Sequence, residues 1–588
     1  MKRMNYIAKL IAISCLGLLT ITCIILHNTP ASGYEVSIYG PTQITWILLI
    51  IATFGGFFII VDQVLRQGYK NSHFWLTGLL ILVFCRIIII LTPFIRGYYT
   101  WNGDNITHIG YIKDIISTGF ITNNNPYPIT HIFLSIMVIY TNLQIEFIAN
   151  NSTAFISVLC IIFIYLASKK ILPSEGSQIL VAAISGSVLI SGYDVYLMPN
   201  GWSVLLLPLV FYTIFNSSKS FKALSIILLI LYPFFHPLSA LILILSLIAM
   251  GIANYTNDVL YYKKLLYKNI LMYFNINYIF VASIVFLFWI LTLSIFNDNI
   301  GAFLNIFSTG NTDPLTQINS QLNKIHISST EFFNLLIHMY GHYLIFGLLF
   351  FITVIIIYKL NKYGIIYRNI NNIICIIFLY ILLYLAYFLN VIPGLAFIGS
   401  DRILKYIFIL TPLPLGFTFN YILTKKYYKI TIVFVILLLI SSIISIYSSF
   451  ISPYVMQPSI QVTNYDMSGA KWFIENKDIN IPTSPILNLP SRLADDILGY
   501  SSASKRADLS PYYIIPNHFN YTNYTTLGKS IGGDTYIPIS QLDEITYQTV
   551  WNSTGRFDSS DFQHLEYDTS LNRLYDNGEY EVFLLDKR

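Results

Sequence analysis

Thirteen apolar runs, most of them close to the roughly 20 residues that a helix needs to cross a bilayer, fill the first 450 positions of this 588-residue chain. They lie near 6–26, 44–65, 74–95, 153–168, 177–192, 202–216, 222–234, 236–252, 271–296, 343–359, 371–389, 404–422 and 430–450. Few architectures other than a helical membrane protein can accommodate them. Composition agrees, because charged residues make up only 11% of the chain and the mean hydropathy is +0.63. A water-exposed surface takes about a quarter of its residues charged. The first run, Ile7 to Leu26, exceeds a usual signal-peptide core and no clear cleavage site follows, so it reads as a helix.

The charges are written as membrane topology rather than as a nucleic-acid surface. Up to Phe450 there are 24 Lys and Arg against 12 Asp and Glu, and from Ile451 onward 10 against 17. With Lys2, Arg3 and Lys9 in the cytoplasm, alternate loops place 18 of those 24 basic residues inside. Thirteen crossings then put the acidic tail outside the cell membrane. The fold expected is a polytopic α-helical membrane protein of about 13 spans, residues 1–450, followed by an extracytoplasmic α+β domain, 451–588. Two large outer loops, 96–152 and 297–342, interrupt the membrane part. Within the first, His131 to Leu143 is apolar but too short to span, which predicts an interfacial or re-entrant piece. In the tail, a helix is expected from Asp466, as N-cap, to Asn476, and the alternation of Glu579 to Leu585 predicts a strand. The sequons at Asn520, Asn523 and Asn552 suit an outside location. All five cysteines fall in apolar runs, so neither a disulfide framework nor a zinc spacing exists.

Chemistry concentrates in the first outer loop. Trp101-Asn-Gly-Asp-Asn-Ile-Thr-His predicts a short helix from Asp104 to Gly119, with Ile109, Ile112, Ile115 and Ile116 on its apolar face. Asp104 and His108, four apart, share a face one turn from each other. They could form a catalytic carboxylate with a polar partner or a two-ligand foothold for a divalent ion, or equally a helix cap with a solvated imidazole. At a span mouth further on, Asp401-Arg402-Ile-Leu-Lys405 offers a planar guanidinium suited to phosphate, or else a surface ion pair. Arg86 lies inside a span, where a charge is costly and faces a partner, phosphate or the interface. His236, in Tyr232-Pro-Phe-Phe-His-Pro, sits at an outer hairpin and either lines a cavity or packs a turn. His338 and His342 are four apart with no acid at matching spacing. No glycine-rich phosphate loop, nucleophile triad or nucleotide fingerprint occurs.

A loop that begins with Asp after an early span, runs into an amphipathic helix ending Thr118-Gly119, and continues to Tyr127-Pro-Ile-Thr-His131 resembles the first outer loop of the C-type (GT-C) membrane glycosyltransferases. That superfamily includes dolichyl-phosphate-mannose protein mannosyltransferases and oligosaccharyltransferase catalytic subunits. The resemblance extends to a many-span core with an outer soluble tail, and so covers nearly the whole chain. It departs from the family in lacking a Trp-Trp-Asp-x-Gly signature, in carrying two extra leading spans, and in having Asp104-Asn105 instead of adjacent acids. The resemblance implies transfer of a sugar from a polyprenyl- or dolichyl-phosphate carrier to a glycan, protein or lipid acceptor. It implies Asp104 as the catalytic carboxylate and Arg402 toward the donor phosphate; beside them the residues themselves offer Arg86 as a second phosphate contact and His108, His131, His236 and Asp401 as further polar groups of the site. No cofactor is certain, and a divalent metal on Asp104 and His108 stays open. A transporter of lipid-linked glycans, or a non-catalytic assembly subunit, would account for the same spans without the chemistry.

Overall fold

The computed structural model describes residues 2–122, 125–260, 274–293, 328–362, 367–389 and 399–586. Residues 297–327 of the second outer loop and 393–398 before Arg402 lie outside them. The chain opens with α1 (Lys2–Asn28), α2 (Gln43–Leu65) and α3 (Trp75–Ile95). Then follow β1 (Thr100–Trp101), α4 (Asp104–Thr118), α5 (Pro128–Thr141), α6 (Ile145–Ile171), α7 (Glu175–Ser187), α8 (Gly192–Val195) and α9 (Pro199–Ile214). Next come α10 (Lys219–Phe235), α11 (Pro237–Leu260), α12 (Ile276–Thr292), α13 (Ser329–Lys362), α14 (Arg368–Phe388), α15 (Ser400–Leu410), α16 (Pro412–Thr424) and α17 (Tyr428–Tyr447).

Each apolar run holds a helix among the described residues, but not every such helix is long enough to cross. Among the described residues eight helices have the length and hydropathy of a span, namely α1, α2, α3, α6, α11, α13, α14 and α17. The bent pair α15–α16 makes a ninth if taken as one. The other four runs form shorter helices: α7 of 13 residues, α9 of 16, and α10 and α12 of 17. Among the described residues the thirteen runs thus give eight or nine helices of span length and four shorter ones, and two of the short ends have local reasons. Helix α10 stops at His236 because Pro237 follows and opens α11. Helix α7 stops at Ser187, and the Arg86 guanidinium takes up the carbonyls of Ser185, at 2.9 Å, and Val188. Where α2 crosses α3, Gly56 and Gly78 face each other so closely that a Cβ on either would lie under 3 Å from the other's carbonyl.

The tail is a small α+β unit. It contains β2 (Gln461–Val462), α18 (Asn464–Asn476), α19 (Pro490–Leu498), α20 (Tyr500–Ala503), β3 (Thr535–Ser540), β4 (Leu571–Asp576) and β5 (Tyr580–Leu585). The last three form an antiparallel sheet in the order β3-β5-β4, with β5 where alternation predicts a strand. The N-cap of α18 is Thr463, not Asp466. Asp466 stands three residues on and returns a carboxylate to the Thr463 N–H at 3.0 Å, completing a capping box.

The tail is stitched to the first outer loop. β1 pairs antiparallel with β2, Thr100 opposite Val462. Helix α4 is held between two cores: Ile109 and Ile112 join the main membrane cluster, while Ile106 packs with Val462, Ala470, Phe473 and Leu493 of the tail. At Gly110 the backbones touch, since a Cβ there would lie 2.4 Å from the Asp495 carbonyl oxygen. Polar contacts reinforce the seam, with Lys113 bridging Asp496 and Glu146 while Asp114 accepts from the Ser501 N–H at 2.8 Å.

Candidate functional site at the seam between outer loop and tail

Helix α4 begins sharply because Gly103 takes φ +75°, and ends at Gly119 with φ +74°, whose N–H bonds the Ile115 carbonyl. Asp104 is thus the first helical residue and Gly103 its cap. The Asp104 carboxylate makes no capping bond and is 70% exposed, standing over free helix N–H groups that favour its charge.

It opens onto a cavity of about 430 Å³. Helix α4 contributes Asp104, Thr107, His108 and Tyr111 to the wall. Opposite, α15 supplies Asp401, Arg402 and Lys405, while the stacked rings of Tyr127 and His236, 5.0 Å apart, form one side. The tail closes the space with Arg492 and Tyr500. Sequence reasoning missed these two. No local pattern marks Arg492, which meets Asp104 only because α19 packs along α4.

Charge in this cavity is arranged rather than neutralised. Arg492 Nη1 lies 3.6 Å from Asp104 Oδ1 and donates to Thr107 Oγ1 at 2.8 Å. Thr107 in turn donates to Asp495 at 2.6 Å, and burial pushes the Asp495 carboxyl up to about 6. Lys405 pairs with Asp401 one turn back, its ammonium 4.1 Å from the centre of the Tyr193 ring. The surface pair between Asp401 and Arg402 does not form. Among the described residues no carboxylate comes within ion-pair distance of Arg402, which is half-buried in the cavity wall. Three cations therefore face two acids, with a guanidinium left over for an anionic ligand.

His108 in this wall and His131 behind it are both buried, His131 Nε2 lying 3.1 Å from His108 Nδ1. Burial lowers the His108 pKa to about 4 against the pull of Asp104, so the imidazole is neutral at physiological pH. Arg86 is not brought to the cavity. Its guanidinium is spent on the Ser185 and Val188 carbonyls and lies 3.9 Å from Asp194, so it locks α3 to the end of α7. As a metal foothold, Asp104 and His108 offer two ligands, with Asp401 already engaged by Lys405. The described residues hold one grouping of three potential ligand side chains, His518, Asp558 and Asp561 in the tail, and none of these lines the cavity. A second cavity, of about 300 Å³ and lined by Tyr193, Tyr196, Tyr340 and Tyr343, shares the Asp401 and Lys405 wall with the first.

No protein-family model matches the chain, and no curated protein matches it. Among solved structures it is similar to the Archaeoglobus fulgidus oligosaccharyltransferase in its apo form, with 10% identity over 88% of this chain and 75% of that one, at a TM-score of 0.47. The archaeal oligosaccharyltransferase AglB from Archaeoglobus fulgidus, in complex with an inhibitory peptide and a dolichol-phosphate, gives 11% identity, the same coverage and a TM-score of 0.46. ArnT from Cupriavidus metallidurans bound to undecaprenyl phosphate gives 9% identity over 87% of this chain and 97% of that one, at 0.45. These are membrane glycosyltransferases of the C-type superfamily that the first outer loop resembles. Scores below one half carry no argument about chemistry, which has to come from the cavity itself.

Proposed function

We propose that this protein is a membrane glycosyltransferase that moves a sugar from a polyprenyl- or dolichyl-phosphate carrier to an extracytoplasmic acceptor. The observation that carries the reading is one cavity lined by both an exposed carboxylate, Asp104, and a guanidinium, Arg402, that has no carboxylate partner among the described residues. The pair matches the two charges that such a reaction must handle. An acceptor hydroxyl attacks the anomeric carbon while the bond from that carbon to the phosphate oxygen breaks, its electron pair leaving on the carrier phosphate. The hydroxyl proton passes to the Asp104 carboxylate, and Arg402 stabilises the departing phosphate. Attack from the side opposite the phosphate inverts the anomeric centre. Lys405 and the adjoining aromatic cavity give the second substrate a place beside the same wall. The basic inner loops orient the N-terminus to the cytoplasm, the cavity and tail to the outer face of the plasma membrane.

The purified full chain, in lipid discs with radiolabelled polyprenyl-phosphate hexoses and a membrane extract as acceptor source, should yield labelled product. Asp104→Asn should not. Binding of the carrier without any transfer, in parent and variant alike, would point to a transporter or assembly subunit instead.

A further inference from the structure

A chain of three side chains behind the cavity decides which proton sits on which nitrogen. The Tyr127 N–H lies 3.0 Å from Asn125 Oδ1, and a backbone N–H can only donate. That contact fixes the amide: the atom there is the carbonyl oxygen, and a flipped amide would set donor against donor. His131 Nδ1 lies 3.0 Å from the same oxygen, so it carries a hydrogen. A neutral imidazole has one N–H, which leaves His131 Nε2 bare. His108 Nδ1, 3.1 Å from that bare nitrogen, must then be the donor, and His108 Nε2 is left with a lone pair. Both rings are buried, and burial lowers both their pKa values, so neither takes a second proton near pH 7. The charged groups that act on His108 are Asp104 and Arg492, which pull in opposite directions.

His108 is the member of this chain that lines the cavity, and among the described residues no donor reaches its Nε2. We propose that the Tyr127–Asn125–His131 chain locks His108 as a hydrogen-bond acceptor, and that its bare Nε2 recognises a sugar hydroxyl in the cavity. The sugar in this statement rests on the function proposed above; the tautomer rests on the geometry alone. Asn125 and His131 are positioning residues, acting only through His108. The arrangement has a cost that supports a purpose, since Asn125 Nδ2 is buried with no partner among the described residues. A site built around one acceptor discriminates sharply against a ligand that has no hydrogen to give.

The test has two arms on the full-length protein in lipid discs. In the first, ¹⁵N-histidine solid-state NMR reads the protonation of each ring nitrogen, with His108 assigned by the signal lost in His108→Gln. At pH 7 the parent should show a protonated Nδ1 and a bare Nε2. Asn125→Leu, which removes the anchoring oxygen, should mix the tautomers, and Asn125→Asp, which keeps it, should restore the parent pattern. A protonated Nε2 in the parent overturns the proposal, as does a shift of the Nε2 signal on adding manganese chloride alone, which would assign the lone pair to a metal. In the second arm Asn125→Leu should lower kcat/KM for a polyprenyl-phosphate hexose about tenfold, the worth of one good hydrogen bond, with Asn125→Asp close to the parent. Unchanged transfer by Asn125→Leu with mixed tautomers removes His108 from recognition. A parent that transfers no sugar at all sinks the proposed reaction, and the first arm still judges the tautomer.

Discussion

Arg492 stands 3.6 Å from Asp104, a cation from the tail facing a carboxylate at the start of α4. The contact is too long and too exposed to stabilise much, because pairs open to water contribute about 0–1 kcal/mol. Its meaning is positional: the tail completes a cavity that the membrane helices leave open.

Asp104→Asn should separate chemistry from folding. Gly103 caps α4 and the carboxylate makes no capping bond, so the amide should leave expression and thermal stability at the parent level. Transfer should fall by about two orders of magnitude or more, the usual worth of a lost general base. Full activity in the folded variant would remove the carboxylate from the mechanism.

Arg402 should act on the donor. Arg402→Ala is expected to raise the apparent KM for the lipid-phosphate sugar while moving kcat less, as loss of a ground-state phosphate contact does. Arg402→Lys should recover only part, keeping the charge without the planar fork. Donor titrations that coincide with the parent's would return Arg402 to the surface.

Gly110 should control docking of the tail. Alanine improves helix propensity by about 1 kcal/mol, yet its Cβ would meet the Asp495 carbonyl at 2.4 Å. Backbone cannot swing away as a side-chain tip can, so the clash should win by about 1–2 kcal/mol. Gly110→Ala should lower the melting temperature and expose the seam to protease, and a stabilised variant would contradict the packing described.

Stability of the tail should depend on pH with an unusual sign. Burial pushes Asp466 up to about 7 and Asp495 to about 6, from an ordinary 3.8. A carboxyl whose folded pKa is raised favours the folded state when protonated, so its contribution is full below about 4 and is lost as pH rises through 6 to 7. The melting temperature should therefore fall between pH 5 and pH 8, and Asp466→Asn should flatten that fall. A curve that rises over this window would contradict the burial of these acids.

Orientation can be read by impermeant thiol labelling of single cysteines in a Cys-free background. Glu175, exposed at the start of α7, is a better inner probe than Ser174, which caps that helix by accepting from the Ser177 N–H. Glu175→Cys should stay unlabelled on intact cells and Ser559→Cys, exposed in the tail, should label. The reverse pattern would invert the topology.

What could be read before the structure follows from the range over which each signal acts. Helix α4 was legible to within a residue, because Gly119 closes it and Asp104 stands at its start, although the cap is Gly103. The strand at Tyr580–Leu585 was legible by alternation. The cap of α18 was misread because Asp466 at the third helical position and Thr463 at the cap both suit a helix start, and only the reciprocal hydrogen bonds say which is which. The short ends of α7 and α10 were not legible, because hydropathy does not register that Pro237 follows α10 or that a buried Arg86 takes up carbonyls at the end of α7. Arg492 was invisible, since nothing near it in sequence encodes a neighbour on the first outer loop. The Asn125–His131–His108 chain was only partly visible: the two histidines stood out, Asn125 did not, and the order of donation depends on distances alone.

The seam between α4 and α19 also sets a clock. Thr107 and Asp495, hydrogen-bonded in the finished protein, are made 388 residues apart. At about 5–20 residues per second of synthesis, Asp104 waits on the order of 20–80 seconds before Arg492 leaves the ribosome. Throughout that interval the nascent chain has its carboxylate but no complete cavity. A ribosome product that stops before Pro490 should therefore insert into the membrane and remain inert, so that the stretch from Pro490 onward acts as a certificate that what precedes it has been made.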